Sequence, residues 1–280
     1  EIRDYLPNAH ADGRCVGLPS DDTQLAFWTL EHLIEEGRLV PEQLGRRFAA
    51  RRIFGIGYTV SRFLHRQVQG GPWTQWGVPS AGNGTLMRIA PVLIPHLAAP
   101  PSKALWRDAA ECAALTHRDA AAVASATAFV GMLWELLGAQ TPPRPQWWAQ
   151  RYIALARPVE GEATRYAVRG GPLLGWAGPL WRLIAEEVPR ALAQDLPVHS
   201  ACNRWYSGAY LLETVPSMLY ILARHGHDPE QALVRAVNDT KDNDTLGAIV
   251  GAAVGAMHGE MGLPRRWIEG LAGRTQGDDD

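Results

Sequence analysis

The chain has 280 residues, of which 46% are hydrophobic and 20% charged, a composition typical of a globular protein rather than a disordered one. Its formal net charge of −2 gives no electrostatic signal for nucleic acid or a membrane surface. The three cysteines (Cys15, Cys112 and Cys202) lie far apart and form no C-x-x-C pair, which argues against a disulfide framework and a zinc ribbon and suits a reducing cytoplasm.

Helical periodicity dominates the chain and begins with TQLAFWTLEHLIEEG (23–37), an amphipathic stretch that ends at a glycine. The same periodicity predicts later helices at 41–57, 57–68, 103–117, 120–138, 146–157, 173–187, 209–225, 229–237 and 246–258. We find no alternating run between turn residues that would predict a strand. The pattern therefore predicts an all-α fold, a single compact multi-helix domain over residues 1–280.

One Gly- and Pro-rich segment, QGGPWTQWGVPSAGNGTLMRIAPVL (69–93), interrupts the helical pattern. It contains Gly82-Asn83-Gly84 directly before an apolar stretch that predicts a helix start. Long structured loops on a rigid scaffold are often functional, so this segment is a candidate part of a site. The final GDDD predicts a frayed tail.

Two short acidic stretches precede predicted helices: Ser20-Asp21-Asp22-Thr23 and Asp242-Asn243-Asp244-Thr245. Helix capping is one interpretation, because Ser, Asp and Thr accept hydrogen bonds from the free N–H groups of a first turn. One residue per stretch would suffice for capping, however. Clustered carboxylates and hydroxyls without Cys or His predict oxygen ligands for Mg²⁺ or Mn²⁺ rather than Zn²⁺. An EF-hand is excluded, since its required Gly and Glu are missing when positions are counted from Asp239.

The helix after the second acidic stretch carries Gly247, Gly251 and Gly255 at four-residue spacing. This bare stripe predicts the close approach of another backbone, which would fix the preceding carboxylates as a metal site requires. His117, in LTHRD, stands at a helix entry, but a lone histidine without further context predicts a structural residue.

Five segments resemble, in the family's order, the motifs of the ADP-ribosylglycohydrolase (DraG-like) family. They are SDDT (20–23), GNGTLMRIAP (82–91), LTHRD (115–119), SGAYLLETVPSMLYIL (207–222) and DNDTLGAIVGAAVGA (242–256). One such match would be weak. Five in order, spread over most of the chain, make a specific resemblance.

The resemblance implies an all-α hydrolase that holds two Mg²⁺ or Mn²⁺ ions and removes ADP-ribose from a modified target, often an arginine on a protein. The implied metal ligands are Ser20, Asp21, Asp22, Asp242, Asp244 and Thr245. Asp22 and Asp244 are implied to lie between the two ions and to be catalytic. The implied substrate-binding residues are Asn83, Gly84, Thr85, Met87, His117, Tyr210 and Glu213.

The chain departs from the family pattern at two places. The family opens with a G-x-x-x-G-D-A-[LM]-G helix, followed by a glutamate that assists catalysis, and nothing in this chain matches that helix. We therefore expect the family's N-terminal helix to be missing from this chain. In addition, the family's usual Gly-Gly before the second acidic stretch is Thr240-Lys241, and Asn243 replaces a threonine. A lysine at this place predicts either an altered substrate choice or a side chain that points outward.

Three functions compete on these residues. The first is a hydrolase that acts on an ADP-ribosylated protein or small molecule. The second is an ADP-ribose-binding module with little turnover, which applies if the mature protein lacks the catalytic glutamate. The third is a structural helical domain whose acidic stretches are caps. We expect a cytoplasmic monomer without a membrane segment, because no signal peptide is visible and the longest apolar run (246–257) is shorter than the roughly 20 residues of a membrane helix.

Overall fold

The structure is a computed structural model that describes residues 1–7 and 16–273. In this part of the chain, twelve α-helices form nearly all of the regular structure, which confirms the predicted all-α fold. The helices are α1 (Asp21–Glu36), α2 (Pro41–Ala49), α3 (Tyr58–Val68), α4 (Lys103–Thr116), α5 (Ala120–Leu137), α6 (Pro145–Glu160), α7 (Leu180–Ala193), α8 (Val198–Trp205), α9 (Leu211–His225), α10 (Pro229–Asn238), α11 (Asn243–His258) and α12 (Arg265–Glu269). Cys15 and the GDDD tail lie outside the described residues.

The connections contain short 3-10 turns and one pair of strands. The turns are Trp73–Gln75, Leu86–Arg88, Ala90–His96, Gly171–Leu173 and Glu260–Gly262. Strands β1 (Tyr166–Ala167) and β2 (Ala177–Gly178) pair in antiparallel register, with Tyr166 opposite Gly178. This pair is an exception to the predicted absence of strands, and two residues per strand are too few for an alternating pattern to show.

The predicted helix at 173–187 is wrong at its beginning. A 3-10 turn and β2 occupy the first part of that range, and α7 starts at Leu180, directly after Pro179. The apolar α-helix predicted after Gly84 is also wrong, because 3-10 turns replace it. Pro91 and Pro95 explain this difference, since proline lacks the N–H that an α-helical hydrogen bond needs. Helix α8 was missed because eight residues give little periodicity.

Helix α5 lies in the core of the fold. It is rich in alanine and buried on most of its surface, and α4, α6, α9 and α11 pack against it. Among the described residues it is also the one helix long and apolar enough to cross a membrane, although 72% of that stretch is buried inside the fold. Core helices of globular proteins share this composition.

The first turn of α1 is fixed by the segment that precedes α3. The main-chain N–H of Asp21 donates to the carbonyl of Phe54 at 2.8 Å. The buried side chain of Gln24 continues this contact: its Nε2 donates to the carbonyl of Arg52 at 3.2 Å, and its Oε1 accepts from the N–H of Phe54 at 2.8 Å. The start of α1 therefore has a defined position before any ligand is considered.

The glycine stripe of α11 faces α10 in part. A Cβ added to Gly247 would lie 3.7 Å from a methyl group of Val237, and one added to Gly251 would lie 3.5 Å from Leu233. Both are ordinary van der Waals distances, and Gly255 has nothing within 4 Å. The prediction of an unusually close backbone approach at this stripe is therefore wrong.

The buried guanidinium of Arg88 joins the loop after Gly84 to the end of α4. It donates to the carbonyl of Cys112 at 3.0 Å and to the hydroxyl of Thr116 at 2.7 Å, and it lies over the ring of Phe48. A cation at the C-terminal end of a helix is also favoured by the helix dipole. Arg88 thereby anchors the segment that contains most of the predicted substrate-binding residues.

Two helical glycines give opposite predictions for substitution by alanine. Gly251→Ala is expected to raise the free energy of unfolding by about 0.5–1 kcal/mol, because alanine favours the helix and space is available. Gly45→Ala in α2 places a Cβ 2.7 Å from the ring of Trp76, so it is expected to lower that free energy by about 1–3 kcal/mol. Urea denaturation measures both values. Equal effects of the two substitutions would contradict the packing described here.

Candidate metal centre and active site

The two acidic stretches lie together at the N-terminal ends of α1 and α11. Asp21, Asp22 and Asp244 each offer one carboxylate oxygen, and these oxygens all lie within 4.8 Å of one another. Asp21 and Asp22 are buried, whereas Asp244 is exposed. Residues about 220 positions apart in the sequence therefore build a single group of oxygen donors.

Helix capping does not account for these residues. Ser20 and Asp242 occupy the N-cap positions of α1 and α11, yet neither side chain accepts a hydrogen bond from its helix. In the same fold Ser102, Asp119 and Asp228 do cap α4, α5 and α10 in this way. The hydroxyl of Ser20 instead donates to a carboxylate oxygen of Asp22 at 2.7 Å. The acidic stretches therefore have an arrangement that caps do not require.

Burial and mutual repulsion raise the pKa values of Asp21, Asp22 and Asp242. Burial, followed by the negative charges of Asp22 and Asp244, raises the pKa of Asp21 to about 8. Burial, followed by the charge of Asp244, raises the pKa of Asp22 to about 7, although hydrogen bonds from Ser20 and Thr245 oppose this rise. Burial likewise raises the pKa of Asp242 to about 6.

The group fits a divalent cation by the chemistry of its donors. Among the described residues Oδ1 of Asp22 is buried without a hydrogen-bond partner, while Oδ2 accepts from Ser20. A buried carboxylate oxygen without a partner is costly unless a cation or donor satisfies it. All three donors are carboxylates, and among the described residues no His or Cys joins the group, which favours Mg²⁺ or Mn²⁺ over Zn²⁺.

Asn83 connects the loop to the acidic group. Its side-chain amide donates to Asp242 at 2.6 Å and to the hydroxyl of Thr214 at 2.9 Å. Its main-chain N–H donates to the carbonyl of Ala209 at 3.2 Å, and the N–H of Leu211 donates to Ala81 at 2.9 Å. Asn83 is buried, so its amide positions Asp242 from inside the protein.

His117 is buried against the same loop. Its Nδ1 lies 2.9 Å from the hydroxyl of Thr116, and a Cβ added to Gly84 would lie 2.9 Å from its Cε1. Position 84 therefore has no room for a side chain. Burial, together with the nearby cation of Arg88, lowers the pKa of His117 to about 3, so the imidazole is neutral at physiological pH.

Of the two remaining predicted residues of the loop, one is buried and the other borders a cavity. Thr85 is fully buried and its hydroxyl has no hydrogen-bond partner among the described residues. Met87 borders a cavity of about 300 Å³ next to Asp22. The further residues that line this cavity are Thr23, Ala26, Phe27, Leu30, Ala90, Pro91, Ala248 and Ala252.

Glu213 and Tyr210 hold an arginine that sequence patterns did not indicate. Glu213 is almost fully buried and accepts two hydrogen bonds from Arg169, both of 2.8 Å. The guanidinium of Arg169 lies over the ring of Tyr210, 4.8 Å from its centroid. Arg169 stands in the connection after β1, where no recognisable motif marks it. The carboxylate of Glu213 is occupied by Arg169, and its substrate-binding role stays a prediction.

Comparisons with known proteins show which family the chain resembles. A protein-family model described as ADP-ribosylglycohydrolase matches residues 1–279. An uncharacterized protein of Archaeoglobus fulgidus is 28% identical over 98% of this chain and 82% of its own length. The ADP-ribosyl-[dinitrogen reductase] glycohydrolase of Rhodospirillum rubrum is 24% identical, over 91% of this chain and 74% of its own.

A solved structure gives the same result. An ADP-ribosylglycohydrolase-related protein complex is similar over 91% of this chain and 77% of that chain, with 26% identity and a TM-score of 0.66. Because the family model spans almost every residue, the chain belongs to the ADP-ribosylglycohydrolase family, and this membership supports a hydrolase that acts on ADP-ribosylated targets.

Proposed function

We propose that the chain is a metal-dependent hydrolase that releases ADP-ribose from ADP-ribosyl-arginine on protein and uses two Mg²⁺ or Mn²⁺ ions. The observation that carries this proposal is that Asp21, Asp22 and Asp244 each offer a carboxylate oxygen within 4.8 Å of the others, while Oδ1 of Asp22 is buried without a hydrogen-bond partner among the described residues. Such a group is unfavourable without a cation. The family membership supplies the reaction class.

The proposed roles of the side chains follow from their contacts. Asp21, Asp22 and Asp244 would hold the cations, together with Ser20, Asp242 and Thr245. When bound, such cations orient sugar hydroxyls and lower the pKa of a water molecule. Asn83 keeps one oxygen of Asp242 in place through its 2.6 Å hydrogen bond. Asp22 and Asp244 come from different helices, so they would hold the cations from the start of α1 and from the start of α11.

Hydrolysis of a ribosyl C1–N or C1–O bond passes through a cation-like sugar. The carboxylates of this site favour that positive charge, and the neutral His117 beside the glycine loop offers a hydrogen bond without adding a competing charge. The carboxylate that accepts the proton of the attacking water in the family pattern is not assigned to a residue of this chain. Glu1 itself is paired with Arg235 on α10, which occupies its carboxylate.

The alternative is an ADP-ribose-binding module with little turnover. It is favoured by one observation: among the described residues, the carboxylates gathered at the site are those assigned to the cations. Hydrolysis and binding are separated by measuring both with the same protein in Mg²⁺. Tight ADP-ribose binding without release from ADP-ribosyl-arginine would select the binding module.

Asp244→Ala is expected to lower the rate of ADP-ribose release at least about 100-fold in Mg²⁺, because it removes a carboxylate that would hold the proposed cations. Chromatography of the ADP-ribose released from modified arginine measures this rate. Asp228→Ala is the matched control: it removes a true N-cap on α10, so it should cost about 1 kcal/mol of stability and leave the rate unchanged. An Asp244→Ala protein that releases ADP-ribose as fast as its parent would contradict the proposed metal-dependent mechanism.

Protein without divalent cations is expected to lose stability as the pH rises from about 4 to 8. In the folded state the pKa of Asp21 is about 8 and that of Asp22 about 7, against a usual 3.8, so the folded state binds the extra protons in this window. Ionisation therefore favours unfolding. A bound cation stabilises the carboxylates, so it should reverse the trend and release protons.

Thermal unfolding at pH 5 and pH 8, in EDTA or in Mn²⁺, tests this pH dependence. Asp22→Asn keeps the shape of the side chain without an ionisable group, so its melting temperature in EDTA should vary less with pH. A parent protein whose melting temperature in EDTA rises between pH 5 and pH 8 would contradict the electrostatics of the site.

A further inference from the structure

Lys241 stands directly before Asp242 and is one of only two lysines, with Lys103, among the 27 Lys and Arg residues of the chain. Its ammonium nitrogen lies 3.2 Å from the centroid of the Tyr206 ring. No carboxylate of the described residues pairs with it, although acidic side chains follow it in the sequence. The ammonium is therefore held by an aromatic face and keeps an uncompensated positive charge.

The backbone beneath Lys241 is arranged for this contact. Tyr206 and Ser207 have φ angles of 74° and 47°, two successive left-handed residues that are not glycine. The carbonyl of Ser207 accepts hydrogen bonds from the N–H groups of Lys241 (3.2 Å) and Asp242 (3.0 Å). One strained turn thus fixes both the start of the acidic stretch and the ring that lies below the ammonium. Strain of this kind is characteristic of functional sites.

A second cation lies on the same turn. Arg169 covers Tyr210 at the other end of the turn, 4.8 Å from the ring centroid. The two cations differ in charge balance, because Glu213 compensates Arg169 by two hydrogen bonds whereas Lys241 has no such partner. The turn that borders Asp242 therefore offers one positive charge that is available to a ligand.

We propose that Lys241, positioned on the Tyr206 ring, binds the diphosphate of ADP-ribose while the ribose reaches the carboxylate group. This inference rests on the proposed function, in which the substrate always carries a diphosphate. The Tyr206 ring covers one side of the ammonium and leaves its outer N–H donors free for phosphate oxygens. The ring also restricts the rotamers of Lys241, so the side chain loses less entropy when a ligand binds. Because Lys241 precedes Asp242 directly in the chain, a diphosphate bound by its side chain would lie on the same turn as the ribose site.

The first experiment uses the scarcity of lysine. Reductive methylation with ¹³C-formaldehyde labels Lys103, Lys241 and the terminal amine, and the methylated lysines keep their charge. In Mg²⁺, ADP-ribose is expected to shift the Lys241 methyl resonance and leave that of Lys103 in place. Adenosine, which has no phosphate, should shift neither. Lys103→Arg and Lys241→Arg assign the two resonances, and a Lys241 signal unmoved by saturating ADP-ribose would overturn the proposal.

The second experiment measures affinity by calorimetry in Mg²⁺. Lys241→Met is expected to weaken ADP-ribose binding about 5- to 10-fold and to reduce its dependence on salt, whereas Lys241→Arg should stay within about 3-fold of the parent. Lys103→Met, which removes the exposed lysine of α4, is the matched control and should bind as the parent does. The affinity for Mn²⁺ should be the same in all four proteins.

Three results of the calorimetry count against different conclusions. If the parent binds ADP-ribose and Lys241→Met binds it equally well, the role of Lys241 is wrong and the proposed function stands. If Lys241→Met loses Mn²⁺ affinity in parallel with ADP-ribose affinity, Lys241 acts through the carboxylates and the direct contact is wrong. A parent protein that binds no ADP-ribose overturns the proposed function and this inference together.

Discussion

Carboxylates held close together in a protein repel one another because they carry like charges. The other residues of this site hold its carboxylates together against that repulsion. Burial makes their ionisation still more costly, so the pKa values of Asp21 and Asp22 rise to about 8 and about 7. A fold tolerates such a group only if each carboxylate is fixed from outside it. Phe54 fixes the start of α1, because its N–H donates to Gln24 and its carbonyl accepts from the N–H of Asp21. Ser207 and Asn83 fix the start of α11 through their hydrogen bonds with Asp242.

A series of contacts positions the loop between α3 and α4, and none of the residues that form it before Asp242 is acidic. Arg88 holds the hydroxyl of Thr116, which in turn lies 2.9 Å from His117. His117 packs against Gly84, and the neighbouring Asn83 reaches Asp242. Because the contacts are consecutive, a shift of the buried guanidinium would reach the acidic group through the loop. Arg88 is therefore as much a part of the site as the residues that would touch substrate.

Sequence patterns predicted the acidic stretches and the all-α fold well, because both depend on local spacing. Periodicity contains no information on whether residues about 220 positions apart lie together. The meeting of Asp22 and Asp244 was therefore predicted from the family resemblance alone. Sequence patterns did not predict that Glu213 is occupied by Arg169, or that the hydroxyl of Ser20, at the N-cap position, donates to Asp22 instead of accepting from the helix. Both are choices between hydrogen-bond partners, which tertiary packing decides. Arg169 lies in an irregular connection, so no period or motif could mark it.

The charges of the site are separated along a short stretch of chain, and this separation favours one orientation of a substrate. Lys241 and Asp242 are neighbours, yet the first turns to the Tyr206 ring and the second to Asn83. A free ammonium close to the carboxylates would pair with them and compete with cations for their oxygens. The aromatic ring prevents this by providing another favourable contact. A ligand with a cation-binding sugar at one end and an anionic group beside it matches this order, and a ligand bound in the reverse direction would place like charges together.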